Sequence, residues 1–506
     1  MDLLQSPIFT AHVEALMQAQ HVPGLAIAIL ENNTVASTGY GWASIDPPKP
    51  CTADTLFDIA SASKSLTAAS VGLLVRDNVH YPEVQYKATM SSLLPGDFVM
   101  SEEEYTKSVT VEDVLSHRTG IAGHDLSYLG PGAAQPDNAR SITRNLRNLG
   151  IASPLRSKYL YCNMMYTVAS YLVEKATGLP FADFLELRFF QPLNMQSTNL
   201  QPGRARDKGL GDRIATGYLW DEKSKQYQGL QAQDEPEAQG AGLVISSVND
   251  YIKWVKAMVN HEDPITRDVY KGLVKPRTIE DPGDTHLRPL TSPMLYGAGW
   301  ETYYYRGHAI ISHDGSDPGF QTSHFFLPEF KSGGAIFDNS DSGDVIINIL
   351  MREIIDEFLK VPEAERVDWK KIETEPRSAG HEQEEETTAE LLPKHCPGSK
   401  KPHPQMLPLA AYTGRYWNRG YHSLTVQISN DSLFVDAEDR SFPFMLTFQH
   451  LCNQTKYIAH MQPTDFQGIE DAEDIDAEFR LHNDTAIKMG LDLESDLPDL
   501  IWFDKV

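Results

Sequence analysis

The 506-residue chain is poor in cysteine, and its four cysteines (Cys51, Cys162, Cys396 and Cys452) stand far apart. That spacing excludes a paired-cysteine zinc site and offers no disulfide framework, so a reducing, cytoplasmic setting is the expectation. No apolar stretch is long enough to cross a membrane, and Met1–Pro7 carries neither a basic segment nor a sustained apolar run, so neither export nor membrane insertion is expected. Basic charge is also short: 44 Lys and Arg stand against 70 Asp and Glu, a formal net charge of −26. Such a balance argues against nucleic acid or an anionic membrane as partner. The stretch from Met461 onward is especially acidic and reads as a solvated face. No metal-ligand spacing appears. His117 and His124 lie in a Gly-containing loop and read as structural, so no metal or cofactor is expected.

What is present describes a globular protein, with 41% hydrophobic and 23% charged residues. Its length predicts two domains. Gly24–Leu30 is an apolar run, then a turn signal at Glu31-Asn32-Asn33, then Thr34–Tyr40: a buried strand and hairpin. A largely apolar helix is expected from Ser61 through Leu74, a short helix at Val111–Leu115, and an amphipathic helix over Asn163–Ala176 ending at Gly178. Asp250–Val259 reads as helical. The runs at Ala309–His313, His324–Leu327 and Gly334–Phe337 read as an antiparallel meander, closed by a helix over Asp344–Leu359. Strands at both ends around a helical middle make an α+β layout. The composition then changes: Glu382–Glu386 and the Pro/Lys/His-rich run Pro393–Pro404 read as a linker. Beyond it, short strand-like runs at Leu424–Ile428, Ser432–Val435, Phe442–Phe448, Lys456–Ala459 and Glu478–Leu481 suggest a small all-β barrel or sandwich, with Asn430-Asp431 as a hairpin turn.

Three short motifs carry chemistry. Ser61-x-x-Lys64 is the sole serine followed three residues later by lysine; on a helix the hydroxyl and the amine share a face, and a desolvated, neutral lysine can take the serine proton. Chance could supply one such pair in a chain of this size. Tyr161-Cys162-Asn163 precedes the amphipathic helix, where Tyr161 could serve as base or proton shuttle beside cationic groups and Asn163 has a fixed seat. A packed core tyrosine is an equal reading of Tyr161 alone, since Tyr416-Trp417-Asn418 repeats the pattern. His313-Asp314-Gly315-Ser316 ends a strand, with His313 and Gly315 on one face. Gly315 permits close approach of a substrate backbone, and the Ser316 amide could join that of Ser61 in an oxyanion hole. Lys331-Ser332-Gly333 competes for this place but reads as a turn between strands.

In this order the three motifs resemble the serine β-lactamase-related superfamily: class C β-lactamases, D,D-peptidases, family VIII esterases, D-aminopeptidases and some transesterases. The segments His21–Ala28, Val114–Ile121, Gln191–Met195, Gly240–Leu243 and Tyr296–Trp300 extend the resemblance over about residues 8–360. Tyr412–Tyr416 followed by Leu424–Val426 is similar to a lipocalin-like barrel found after that domain in some members. The resemblance implies a β-lactamase/penicillin-binding-protein-like catalytic domain over 1–362, with an antiparallel sheet, flanking helices and a helical subdomain. A linker over 363–407 and a lipocalin-like barrel over 408–506 would follow. It further implies a serine hydrolase acting on a small-molecule or peptide-like ester or amide, with Ser61, Lys64 and Tyr161 catalytic. Asn163 and His313 would orient substrate, and the Ser61 and Ser316 amides would bind the oxyanion. An acyltransferase or peptide cyclase using the same acyl-enzyme is the alternative, and a non-catalytic binding scaffold a third. Two departures stand out. Cys162 replaces a serine that helps protonate the leaving group, which disfavours β-lactam turnover. His313 replaces a lysine and, neutral at pH 7, cannot anchor a carboxylate, which points to the esterase and peptidase branches.

Overall fold

The structure is a computed structural model and describes residues 3–283, 287–375, 392, 396–398, 401–464 and 473–506. The glutamate run at 382–386 lies outside the described residues, as does part of 393–404.

Helix α1 (Pro7–Ala19) leads into strands β1 (Gly24–Glu31) and β2 (Thr34–Ser44), joined at Asn32-Asn33, where both residues have positive φ. Helices α2 (Lys64–Arg76), α3 (Asn163–Thr177) and α4 (Val248–Asn260) form most of the helical middle. Strands β3 (Glu301–Tyr305), β4 (His308–Asp317), β5 (Phe320–Leu327) and β6 (Ser332–Asp338) follow, and helix α5 (Asp344–Phe358) closes the unit. They build one nine-stranded sheet in the order Lys49–Pro50, β2, β1, β6, β5, β4, β3, Leu295–Tyr296, Thr278–Ile279. The meander and hairpin read from the sequence are therefore adjacent strands.

β1 reads as an unbroken apolar run because both of its faces are covered. Leu25, Ile27 and Ile29 pack with Phe9 and Val13 of α1 and with Leu350 and Ile354 of α5. Ala26, Ala28 and Leu30 face the other way, toward Trp254 and Val255 of α4. On that second face, a methyl group on Gly333 would come within 2.8 Å of a Val255 methyl. Lys331-Ser332-Gly333 is thus the entry to β6 under α4, and the competing site reading falls away.

Trp369, in a short helix over Trp369–Thr374, is buried in the α1/α5 core and donates to Asp356. The second unit is a closed barrel in which each strand pairs with the next: β7 (Gly414–Asn418), β8 (His422–Ser429), β9 (Ser432–Ala437), β10 (Phe444–Cys452), β11 (Lys456–Pro463), β12 (Glu473–His482), β13 (Thr485–Leu491) and β14 (Ile501–Lys505). Asn430-Asp431 and Asn483-Asp484 turn tight hairpins with positive φ at both positions. Eight strands leave an interior just wide enough for side chains, and Tyr412, Phe448, Tyr457 and Phe479 pack there, mostly edge to face. Tyr416 belongs to this packing, its hydroxyl bonded to the Tyr412 carbonyl, so the second Tyr-x-Asn is structural.

The cysteine reading needs correction. Cys396 and Cys452 form a disulfide that ties the segment before the barrel to β10, so the cysteines do not point to a reducing compartment. Cys51 and Cys162 are buried thiols. Among the described residues no helix is long and apolar enough to cross a membrane.

Candidate active site

Ser61 lies in a tight turn, a 3-10 helix over Ala60–Ser63 that runs straight into α2, so the nucleophile candidate stands at the positive end of a buried helix. Ala60 takes φ +45° and has its amide held by Asp58. Leu243, across the site, has φ +69°. Two non-glycine residues in the left-handed region beside one serine are the kind of local strain that rigid surroundings hold in place. Those surroundings are strand backbone. β4 continues past the end of β3, and Gly315 abuts the turn so closely that a Cβ would lie 2.2 Å from the Ile59 carbonyl. Thr322 of β5 donates to the same carbonyl. On the far side of α2, Gly299 with φ +69° lets its loop touch the Lys64 carbonyl, where a Cβ would stand at 2.6 Å.

Lys64 is fully buried. Its Nζ lies 2.8 Å from Ser61 Oγ, 2.7 Å from Asn163 Oδ1 and 2.9 Å from the Ala241 carbonyl. Burial brings its pKa down from 10.5 to about 7, against the opposing pull of Asp125. The geometry suits the neutral amine. Two partners are carbonyl oxygens that only accept, so they take the two N–H bonds, and the lone pair is left facing the hydroxyl, the one partner able to donate. The Tyr161 hydroxyl donates to Ser61 Oγ from the other side at 2.8 Å. Although 37% of Tyr161 is open to the cleft, its surroundings raise the phenol well above its ordinary value, burial being the main cause. Tyr161 is therefore a protonated phenol at rest.

Asn163 opens α3. Its amide is oriented by Asp125, which lies on a loop the sequence reading passed over. Nδ2 donates to Asp125 Oδ2 at 3.1 Å, and because a carboxylate only accepts, the amide oxygen must turn to Lys64. Burial raises Asp125 to about 6. The stretch carrying Tyr161 hangs on His117: Leu160 N donates to the His117 carbonyl, and Cys162 N donates to His117 Nδ1 at 3.1 Å. The imidazole is tilted against the Tyr161 ring, with 4.3 Å between centroids, and burial keeps it neutral. His117 thus positions Tyr161.

Two site expectations shift. His313 is 2% exposed and both its nitrogens are spoken for: Nδ1 donates to the Asp314 carbonyl at 2.7 Å, and Nε2 accepts from Tyr296 at 2.9 Å. Burial and nearby Lys64 lower it to about 3. It is neutral, as expected, but does not line the cavity and has no donor left for substrate. Cys162 turns its thiol away toward the Gly123 carbonyl, and burial raises it to about 12, so the proton-passing place expected at this position is not reached by its side chain. Ser61, Lys64, Tyr161 and Asn163 converge as one cluster, Gly315 supports it, and Ser316 lines the cavity in front of it.

That cavity holds about 420 Å³ and opens onto Ser61, Asn163, Asp125 and Ser316. One wall belongs to the barrel: Phe442, Pro443, Phe444, Met461 and Pro463. The barrel is latched to the loop bordering the cavity. Gly130 N donates to the Asp439 carbonyl and Ser441 N to the Tyr128 carbonyl. His124, next to Asp125, receives the Tyr421 hydroxyl at Nδ1 (2.7 Å) and donates from Nε2 to the Gly150 carbonyl, while Glu494 takes its main-chain amide. The contacts that reach the barrel join residues about 300 to 370 apart in sequence, and no local pattern marks them. Among the described residues no group of three or more metal-ligating side chains is gathered.

Residues 9–352 match the family described as "Beta-lactamase", and 399–505 match "Domain of unknown function (DUF3471)". The chain belongs to the beta-lactamase family. It is 32% identical over 509 residues to "Unguisins hydrolase ungD'" of Aspergillus campestris (strain IBT 28561), covering 98% of this chain and 91% of that one. It is 25% identical to "Penicillin-binding protein 4*" of Bacillus subtilis (strain 168) over 61% of this chain and 66% of the relative. Among solved structures, the octameric penicillin-binding protein homologue from Pyrococcus abyssi shares the fold with a TM-score of 0.59 at 17% identity, over 98% of this chain and 99% of that one. D-amino acid amidase from Ochrobactrum anthropi SV3 does so at 0.56 and 21%, over 71% and 98%. Membership of this family, with hydrolase relatives, makes the chain an enzyme of hydrolase type.

Proposed function

We propose that this beta-lactamase-family enzyme hydrolyses an amide bond in a peptide-like substrate through an acyl-enzyme on Ser61. The observation that carries the reading is the hydrogen-bond set around Ser61 Oγ: a neutral amine on one side to take its proton and a protonated phenol on the other to supply one. In acylation, Oγ bonds to the substrate carbonyl carbon as its proton passes to Lys64. The C–N bond breaks as the Tyr161 hydroxyl protonates the leaving nitrogen, and Lys64 returns the proton to Tyr161. Water then enters by the reverse path and releases the acid. Ser61 and Ser316 share the cavity wall, and their main-chain N–H groups are the donors proposed for the oxyanion. The relatives named unguisins hydrolase, one of them similar over almost the whole chain, favour water over another acceptor and make unguisins the first compounds to assay.

The test is a serine-directed fluorophosphonate with peptide mapping, alongside amide and ester panels with and without added hydroxylamine. Label on Ser61, loss of turnover in Ser61→Ala and acid as the product without hydroxylamine are expected. An unlabelled Ser61 together with full activity in Ser61→Ala would sink the reading.

A further inference from the structure

The charge of the cavity bears on what it can admit. Asp58, Asp125, Glu235, Asp317 and Asp341 all contribute to its wall, and among the described residues no lysine, arginine or histidine does. Lys64 does not compensate, because it lies behind Ser61 with every hydrogen-bonding direction committed to protein. His313, the other candidate anchor for an anion, is shut away with both nitrogens in use. Apart from Ser61, Tyr128, Asn163 and Ser316, the side chains of the rest of the wall are apolar: Leu126, Leu243 and Pro318 on the catalytic side, and Phe442, Phe444 and Met461 on the barrel side.

We propose that the substrate is a peptide-like amide flanked by apolar groups and carrying no carboxylate next to the scissile bond, that is, a capped or internal bond rather than one at a free C-terminus. The proposal rests on the Ser61 acyl-enzyme reading. An incoming carboxylate would share about 420 Å³ with several acidic groups in a partly desolvated space, where each like-charge contact costs on the order of tenfold in affinity or more. It would also have to bring protons with it. Burial already raises Asp125 to about 6 and pushes Asp58 and Asp341 upward, so these groups take up protons readily when another negative charge arrives. A free acid should therefore bind better as pH falls, while a capped amide should not depend on those protons.

The experiment uses the full chain and reads the rate of fluorophosphonate labelling of Ser61 in competition with an N-acetylated apolar dipeptide, as methylamide and as free acid, in L and D series. At pH 8 the methylamide of the better series should halve the labelling rate at a concentration at least tenfold below that of its free acid, and the gap should narrow at pH 5.5. Asp341→Asn should narrow it at pH 8 as well. A free acid that competes as well as the methylamide at pH 8 overturns the proposal, and so does a failure of both peptides to slow labelling. Absence of any label on Ser61, together with full activity in Ser61→Ala, is a different outcome: it overturns the acyl-enzyme reading itself.

Discussion

The two domains use buried polar groups in opposite ways. Around Ser61 the catalytic domain packs an amine, two imidazoles and a carboxyl group so tightly that their charged forms are disfavoured: Lys64 near 7, His313 near 3, His117 well below its usual value and Asp125 near 6. The barrel fills its interior with aromatic rings, and its contact with the chemistry is made at the rim, through Phe442, Phe444 and Met461 against the cavity and Tyr421 against His124. Proton transfer at neutral pH needs groups held away from water, and a serine at the mouth of a sheet is not covered by its own domain. The barrel supplies the missing wall. A domain with no reactive residue of its own can therefore tune a reaction by what it excludes and by what it holds still.

The largest effect separating the two regions comes from Lys64. Lys64→Met keeps the packing volume and removes the base, so kcat/KM should fall by roughly a thousandfold or more. Stability should move the other way. The unfolded chain keeps the Lys64 proton up to about pH 10.5 and the folded chain releases it above about 7. Wild-type stability therefore rises with pH across that window, and below 7 the whole penalty is present, at most about 5 kcal/mol. Acceptors left bare on Asn163 and Ala241 offset part of this, about 1–3 kcal/mol. Thermal unfolding should show the variant gaining on wild type at pH 6 and losing that relative gain by pH 10. An advantage that does not change with pH would mean Lys64 is not held neutral.

A second measurement sharpens the electrostatic half of the comparison. kcat/KM should decline with unit slope as pH drops through about 7, the point at which Lys64 takes up its proton. Asp125 favours the charged amine, so Asp125→Asn should move that limb to lower pH. It should also lower the plateau by about tenfold, because the Asn163 amide loses the acceptor that orients it. A limb that moves to higher pH would place the titrating group elsewhere.

The barrel wall is tested by Phe444→Ala. Loss of an apolar contact of that size should raise KM for apolar amides by about fivefold to thirtyfold with kcat little changed. A change confined to kcat would show that the wall orders the catalytic groups and does not grip the substrate.

What could be read from the sequence was what the chain places close together. Ser61 and Lys64 are one helical turn apart, Tyr161 and Asn163 flank a helix start, and a strand's alternation put Gly315 toward the site. The sheet followed from the alternating runs of the meander, and five barrel strands from their apolar patterning. The strands left unread were β7, β13 and β14, in which Arg415, Lys488, Gly490 and Asp504 interrupt that patterning. His313 was misplaced for a physical reason: alternation gives the face of a residue but not its depth, and Tyr296 closes over it. Asp125 and His124 carried no local signal at all, since their meaning depends on Asn163 and on Tyr421, 297 residues beyond His124.

That last contact gives the smallest effect and the most specific one. Tyr421 donates to His124 Nδ1, His124 is held at its other nitrogen by the Gly150 carbonyl, and the next residue is the carboxyl group that orients Asn163. Tyr421→Phe keeps the ring in the barrel and removes one hydrogen bond, worth about 1 kcal/mol. With Nδ1 left bare in a buried position, the His124–Asp125 stretch loses one of its ties and Lys64 meets a less well oriented partner. The expected result is kcat lower by about threefold to fivefold, KM unchanged, and an acid limb displaced in the same direction as in Asp125→Asn but by less. If the barrel serves only as a lid over the substrate, KM would change and the limb would stay where it is. If it only stabilises the fold, Tm would fall and both kinetic constants of the folded enzyme would hold. A shifted limb with a fixed KM is the signature that separates positioning from both, because it reports the protonation of Lys64 from a hydroxyl in the other domain.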